Sequence, residues 1–191
     1  MKLRSLLTLA LATICVAGQA APAAEIEGVR FAEQLRVGAD DLRLHGTGVL
    51  RYRVVIKGYV AALYLPESFA GDPARAALGD RARRLEIEYF WPIPAEKFGE
   101  ATVVGISRNV DAATFEALRG RIDRINALYR DVEPGDRYAL TYAPGVGTEL
   151  SHNGERLGVV EGEDFAAALF AIWLGDEPLD ASLREQLLAR R

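Results

Sequence analysis

The chain has 191 residues, of which 50% are hydrophobic and 26% charged, and its formal net charge is −4 at pH 7. This length and composition fit one globular domain with a sizeable core and exclude a disordered chain. The acidic balance disfavours nucleic acid or an anionic lipid surface as a partner.

The N-terminal residues have the build of a secretory signal peptide. Lys2 and Arg4 precede an apolar run over residues 6–17, and a small-residue stretch follows. This succession of charged, apolar and small residues is typical of an export leader, and the apolar run is too short for a membrane span. We therefore predict a leader over residues 1–23, a mature domain over residues 24–191, and a periplasmic or secreted location.

Loss of this leader would change the chemistry of the mature protein. Because Lys2 and Arg4 would both be lost, the formal charge would move from −4 to −6. Cys15, the only cysteine, would be lost as well, which excludes a disulfide, a thiolate nucleophile or a cysteine metal site. The mature fold must then be stabilised by its core alone.

Residues 46–65 form the stretch around which the predicted sheet is organised. Gly46 and Gly48 predict a turn, and Gly58 separates two runs that are rich in β-branched and aromatic residues, so a long strand bends at Gly58 or two strands meet there. Because strand side chains alternate, one face is expected to carry the cationic residues, which are either solvated or part of a ligand-facing wall. That face is predicted to comprise Arg51, Arg53, Val55, Lys57 and Tyr59.

The first half of the chain otherwise predicts short strands and one surface excursion. Two short strands are expected within residues 26–45, and Asp72 followed by Pro73 starts a short helical turn. Residues 84–91 alternate charged with apolar side chains, a pattern that predicts a half-buried strand closed by Pro92.

The second half predicts two helices, a β-meander and two further helices. Pro94 begins the first helix and Asp111 caps the second. The meander covers residues 137–160, where Asn153-Gly154 is a strong hairpin signal. A helix follows over residues 163–174. Asp180 is predicted to cap the start of the last helix. Strands that flank a helical pair favour an α+β fold with a mostly antiparallel sheet.

Three segments together resemble one protein family. They are the run from Lys57 to Pro66, the run from Tyr142 to Thr148 with Asn153-Gly154, and the helix from Asp164 to Gly175. In this order and spacing they are similar to the bacterial exported branch of the chalcone isomerase-like family, over about residues 25–190. The resemblance implies an open-faced β-sandwich, in which a curved, mostly antiparallel sheet carries helices and a ligand cleft lies between them.

The resemblance also implies a set of site residues. Arg51 is the nearest match to the arginine that holds the developing negative charge in the plant enzymes, and Tyr59 stands where they have a threonine. Their helix-borne tyrosine, lysine and asparagine fall near Phe115, Leu118 and Ile122. Their late threonine falls near Ile172.

Because these positions are apolar, the chain lacks the groups that orient a chalcone, and an apolar pocket is expected instead. We therefore predict that Arg51, with Lys57 or Tyr59, binds the carboxylate of an apolar small acid, since an arginine fork binds carboxylate in two places. The predicted ligand is a fatty acid or a polyphenol-like molecule, with Phe115 and Ile172 on the pocket wall. Two alternatives stay open: an isomerase (intramolecular lyase) that acts on a chalcone-like substrate, and a partner-binding structural protein of the periplasm.

Other chemistry finds little support in the sequence. His45 and His152 have no acidic neighbour at ligand spacing, so neither is predicted to bind a metal. No Gly-x-Ser-x-Gly motif is present, and Gly145 and Gly147 lie between strands instead of before a helix. We predict no metal, no cofactor and no membrane span, and the sequence leaves the oligomeric state open.

The export prediction has a direct test. N-terminal sequencing of the exported protein is expected to find a new N-terminus after Ala20 or Ala23, because leader peptidases cut after small residues. An intact Met1, or a lipid attached to Cys15, would contradict it.

Overall fold

A computed structural model describes residues 23–52, 56–69 and 71–190. The predicted leader, apart from its last residue Ala23, lies outside the described residues. So do Arg53 and Val55, whose placement on the cationic face stays a prediction.

The described strands form a two-stranded hairpin and a seven-stranded antiparallel sheet. In the large sheet every strand pairs with its neighbours in sequence, from β3 at one edge to β9 at the other. The strands are β1 Ala23–Ile26, β2 Val29–Ala32, β3 Gln34–Val37, β4 Asp40–Tyr52, β5 Ile56–Pro66, β6 Arg83–Tyr89, β7 Arg137–Ala143, β8 Gly147–His152 and β9 Glu155–Val160.

Helices pack against one face of this curled sheet. They are α1 Pro73–Leu78, α2 Ala95–Asn109, α3 Ala112–Asn126, α4 Glu163–Leu174 and α5 Ala181–Leu188. None of these helices is both long and apolar enough to cross a membrane, within the part of the chain that the structure describes. The α+β fold with an antiparallel sheet is confirmed.

Strand β5 of the large sheet is buried on both faces. On β5, Tyr59, Ala61 and Leu63 belong to a core between the sheet and the helices, which we call the helix-side core. The alternate residues of the same strand, such as Val60 and Tyr64, belong to a second core under the β1–β2 hairpin, the hairpin-side core. Strand alternation therefore decides which of the two cores each side chain enters.

The predicted helix caps and the predicted hairpin turn are present in the structure. The side chains of Asp72, Asp111 and Asp180 accept hydrogen bonds from backbone N–H groups in the first turns of α1, α3 and α5, which satisfies donors that lack a helical partner. Asn153 and Gly154 have φ angles of 49° and 83°, as a tight hairpin turn requires, and they connect β8 to β9.

Gly46 and Gly48 do not form the predicted turn, because both lie inside β4. A Cβ atom at Gly46 would lie 2.3 Å from the carbonyl oxygen of Leu187. These glycines therefore let the last helix, α5, approach the strand closely, and Gln186 accepts a hydrogen bond from the backbone N–H of Val49.

Gly58 marks a β-bulge instead of the junction between two strands. The described strands end at Tyr52 and resume at Ile56, so the chain reverses before Gly58. Leu50 pairs with Tyr59 and Arg51 pairs with Lys57, which leaves Gly58 without an opposite residue. An extra residue in one strand shifts the alternation by one place. Lys57 consequently faces the opposite side of the sheet from Tyr59.

The helical spacing of Leu118, Ile122 and Ile125 predicts an apolar stripe on α3. The structure buries this stripe, which generates a stability prediction. Leu118 is 0% exposed and Ile122 is 2% exposed. Leu118→Ala should lower the free energy of unfolding by about 2 to 5 kcal/mol, because truncation of a buried aliphatic side chain leaves a cavity. Denaturant unfolding measures the change.

Asp123→Ala, on the exposed face of the same helix, is the matched control and should change stability by less than about 0.5 kcal/mol. A change as small as this for Leu118→Ala would place the stripe in solvent and contradict the packing described above.

Candidate ligand-binding cavity

A cavity of about 160 Å³ lies in the helix-side core, between the sheet and the helices α2 and α4. The sheet provides Tyr59, Leu85, Ile87, Tyr89, Tyr138, Leu140 and Leu150, and the helices and loops provide Ile93, Lys97, Phe98, Ala101, Thr102, Tyr129, Ile172, Trp173 and Leu179. Its lining is almost wholly apolar, as is typical of a site for a hydrophobic small molecule.

Three tyrosines on adjacent strands form the floor of the cavity. Tyr59 on β5 is paired with Tyr89 on β6, and their rings meet edge to face with centroids 5.7 Å apart. Tyr138 on β7 follows, 6.0 Å from Tyr89. Phe98 of α2 closes the group, 5.3 Å from Tyr89 and 5.2 Å from Tyr138. Such edge-to-face contacts give the wall a defined shape.

Most of the tyrosine hydroxyls bond to the protein itself. Tyr59 accepts a hydrogen bond of 3.0 Å from Nε1 of Trp173, and Tyr129 shares one of 3.0 Å with the hydroxyl of Thr102. Tyr138 donates to the carbonyl oxygen of Arg130 and accepts from its backbone N–H, each at 2.7 Å. These bonds hold the rings in place.

The interior of the cavity disfavours negative charge. Burial raises the pKa of Tyr59 and Tyr89 above the ordinary range and raises that of Tyr129 to about 12. For Tyr89 the neighbouring tyrosines raise the pKa further. The hydroxyls therefore stay neutral at physiological pH, and the apolar surroundings that oppose a tyrosinate would also oppose a buried carboxylate.

The mouth of the cavity lies beside the start of α2. Lys97 is the charged residue of the lining, and its ammonium group pairs with Glu100 at 2.7 Å and 2.8 Å from the two carboxylate oxygens. The Lys97 side chain is 58% exposed, and Leu179 on the far rim is 44% exposed. A cation and an apolar residue thus border the opening.

Two of the predicted site residues, Tyr59 and Ile172, line the cavity. Ile172 is held there by the close approach of α4 to α2, since a Cβ atom at Gly105 would lie 2.8 Å from its Cγ1 atom. Glycine at this position lets the two helices pack side by side.

Arg51 and Lys57 lie on the other face of the sheet. Both pair with Glu27 in the turn between β1 and β2; the Arg51 nitrogen is 2.6 Å from a carboxylate oxygen, and Lys57 makes the second ion pair. Lys57, followed by Arg51, lowers the pKa of Glu27. The bulge at Gly58 explains why Lys57 does not share a face with Tyr59. Arg51 follows Leu50, the partner of Tyr59, so alternation along β4 turns Arg51 to the hairpin side.

Phe115 lies on α3, where it is half-buried against the helix-side core and does not line the cavity. The helices that face the cavity are α4 and α2, and α2 contributes Phe98 and Thr102. Phe98 and Thr102 recur at helical spacing, which predicts that they share the inward face of α2. The resemblance implies site residues on the following helix, α3, instead.

Neither histidine lies at the cavity. His45 is buried under α5, where its Nε2 atom donates to the carbonyl oxygen of Leu188 at 3.0 Å. His152 stacks against the outer side of the Tyr138 ring, with centroids 5.1 Å apart. No cluster of three or more His, Cys, Asp or Glu side chains suited to a metal occurs within residues 23–52, 56–69 and 71–190.

An antiparallel sheet with an apolar cavity under its helices defines a known class of proteins. The sequence matches the family described as chalcone isomerase-like over residues 23–189. The chain therefore belongs to the chalcone isomerase-like family.

The fold is similar to those of solved structures. One example is the crystal structure of a fatty-acid binding protein of Arabidopsis thaliana, which is 17% identical in sequence and superposes with a TM-score of 0.65. The match covers 87% of this chain and 96% of the plant protein. A comparison with curated proteins finds no significant match.

Proposed function

We propose that this protein is an exported, non-catalytic member of its family that binds an apolar small acid, such as a fatty acid, in the cavity between the sheet and α2. The aromatic, almost wholly apolar cavity is the observation that carries this proposal. The name of the plant protein of similar fold, a fatty-acid binding protein, agrees with a ligand of this kind. The leader-like N-terminus supports the exported location.

The energetics favour an occupied cavity. An empty cavity lowers stability by about 24 cal/mol per Å³, so a volume of about 160 Å³ corresponds to about 4 kcal/mol. Apolar surface moved from water into such a site contributes roughly 25 cal/mol per Å². A ligand that fills the space would therefore gain affinity without needing many polar contacts.

The polar groups of the cavity support binding more than catalysis. Cyclisation of a chalcone requires donors aimed at the charge that develops on the substrate. Here Tyr138 donates its hydroxyl proton to a backbone carbonyl and Tyr129 shares a hydrogen bond with Thr102, whereas Tyr59 accepts from Trp173 and keeps its own proton. The ammonium of Lys97 lies at the exposed mouth instead of inside. The isomerase and partner-binding alternatives have no comparable observation in their favour.

A variant that fills the cavity tests this proposal. Thr102 lines the cavity from α2 and is buried, so a ring introduced by Thr102→Phe would occupy the space that the ligand needs. We expect calorimetric titration with decanoate to show saturable binding to the parent protein and at least about tenfold weaker binding to the variant, a loss of about 1.4 kcal/mol.

Ala113→Phe adds the same ring to an exposed position of α3 and should leave affinity unchanged. Absence of binding to the parent protein would remove the proposed function. Equal affinity of the parent and Thr102→Phe would place the ligand outside this cavity, and turnover of a chalcone followed by absorbance would favour the isomerase.

A further inference from the structure

We infer that Lys97 binds the carboxylate of a compact acid at the mouth of the cavity, while an apolar group about the size of one benzene ring fills the interior. This inference rests on the proposed function. It names the anchoring residue and the size class of the ligand.

The Lys97 ammonium group at the mouth can exchange a contact with Glu100 for one with another anion. Among the described residues that line the cavity, Lys97 alone carries a formal charge. Its pair with Glu100 joins side chains that are 58% and 52% exposed, and exposed pairs of this kind contribute little to stability. An ammonium group has three donors, so Lys97 can bond to a ligand carboxylate and keep one contact with Glu100.

The orientation follows from the cost of burying charge. A carboxylate inside the cavity would lose its hydration without meeting a cation, which is strongly unfavourable. The upward pKa shifts of the buried Tyr59 and Tyr89 have the same cause. The acid group therefore stays at the opening and the apolar group enters.

Arg51 does not offer an alternative anchor for a ligand in this cavity. It lies on the hairpin-side face of the sheet, where it shares Glu27 with Lys57. A ligand in the helix-side core would have to pass through the sheet to reach it.

The volume limits the apolar group. A dry cavity of about 150 Å³ in another protein accommodates benzene, and the cavity here measures about 160 Å³. One aromatic ring or a chain of roughly six carbons fills such a space. The far end of a longer acyl chain has no further room, so each added methylene contributes nothing once the space is full.

Octanoate and octanol have chains of the same length and differ in charge. Comparing them therefore separates the contribution of the carboxylate from that of the apolar chain. We expect octanoate and octanol to bind the parent protein. Lys97→Met removes the ammonium and keeps an apolar stem, so octanoate should bind about 3- to 10-fold more weakly while octanol affinity is retained, as an ionic hydrogen bond at a partly exposed site predicts. Glu100→Gln should strengthen octanoate binding, because a neighbouring negative charge is removed.

Arg51→Met is the control and should leave both affinities unchanged. Loss of octanoate affinity in Arg51→Met alone, or an equal change for both ligands in Lys97→Met, would overturn the assignment of Lys97. In a series of saturated acids, affinity should stop rising near octanoate, and a continued rise to hexadecanoate would overturn the size limit. If the parent bound neither octanoate nor octanol, the proposed function would fail and this inference with it.

Discussion

The structure depends on one constraint: strand β5 is covered on both faces of the sheet. Since successive side chains of a strand point to opposite faces, β5 contributes to two different cores, and a shift of one residue transfers a side chain from one face to the other. The bulge at Gly58 makes such a shift. It leaves Tyr59 in the cavity and turns Lys57 to the hairpin side, where Lys57 and Arg51 of β4 both pair with Glu27.

Aromatic rings line the cavity beneath α2. The floor consists of the large rings of Tyr59, Tyr89 and Tyr138, and Phe98 packs edge to face against two of them. Farther along α2, Gly105 lets the helix pack closely against Ile172 of α4.

Much of the fold was predictable because its signals are local. Asp111 and Asp180 cap their helices, Asn153-Gly154 forms the predicted turn, and alternation along β6 places Leu85, Ile87 and Tyr89 on one face. Features that depend on distant partners were not predictable in this way. The reason for glycine at Gly46 appears only when α5 is packed against it, and nothing in the neighbouring sequence distinguishes a bulge at Gly58 from a bend. The resemblance implies a cleft between sheet and helices with Ile172 and Phe115 on its wall. Ile172 of α4 lines the cavity, whereas α2 stands where Phe115 of α3 was expected, because spacing alone does not show which helix faces the opening.

We propose above all that the ligand lies on the helix side of the sheet. The two tryptophans of the chain report on two different places. Trp173 lines the cavity, whereas Trp91 donates a hydrogen bond to the carbonyl oxygen of Lys57, beside the cations, at 2.8 Å. The most direct measurement is fluorescence titration with octanoate of the single-tryptophan variants Trp91→Phe and Trp173→Phe. A saturable change in the emission of Trp173, with Trp91 unaffected, is the predicted result, and a response of Trp91 alone would contradict the account.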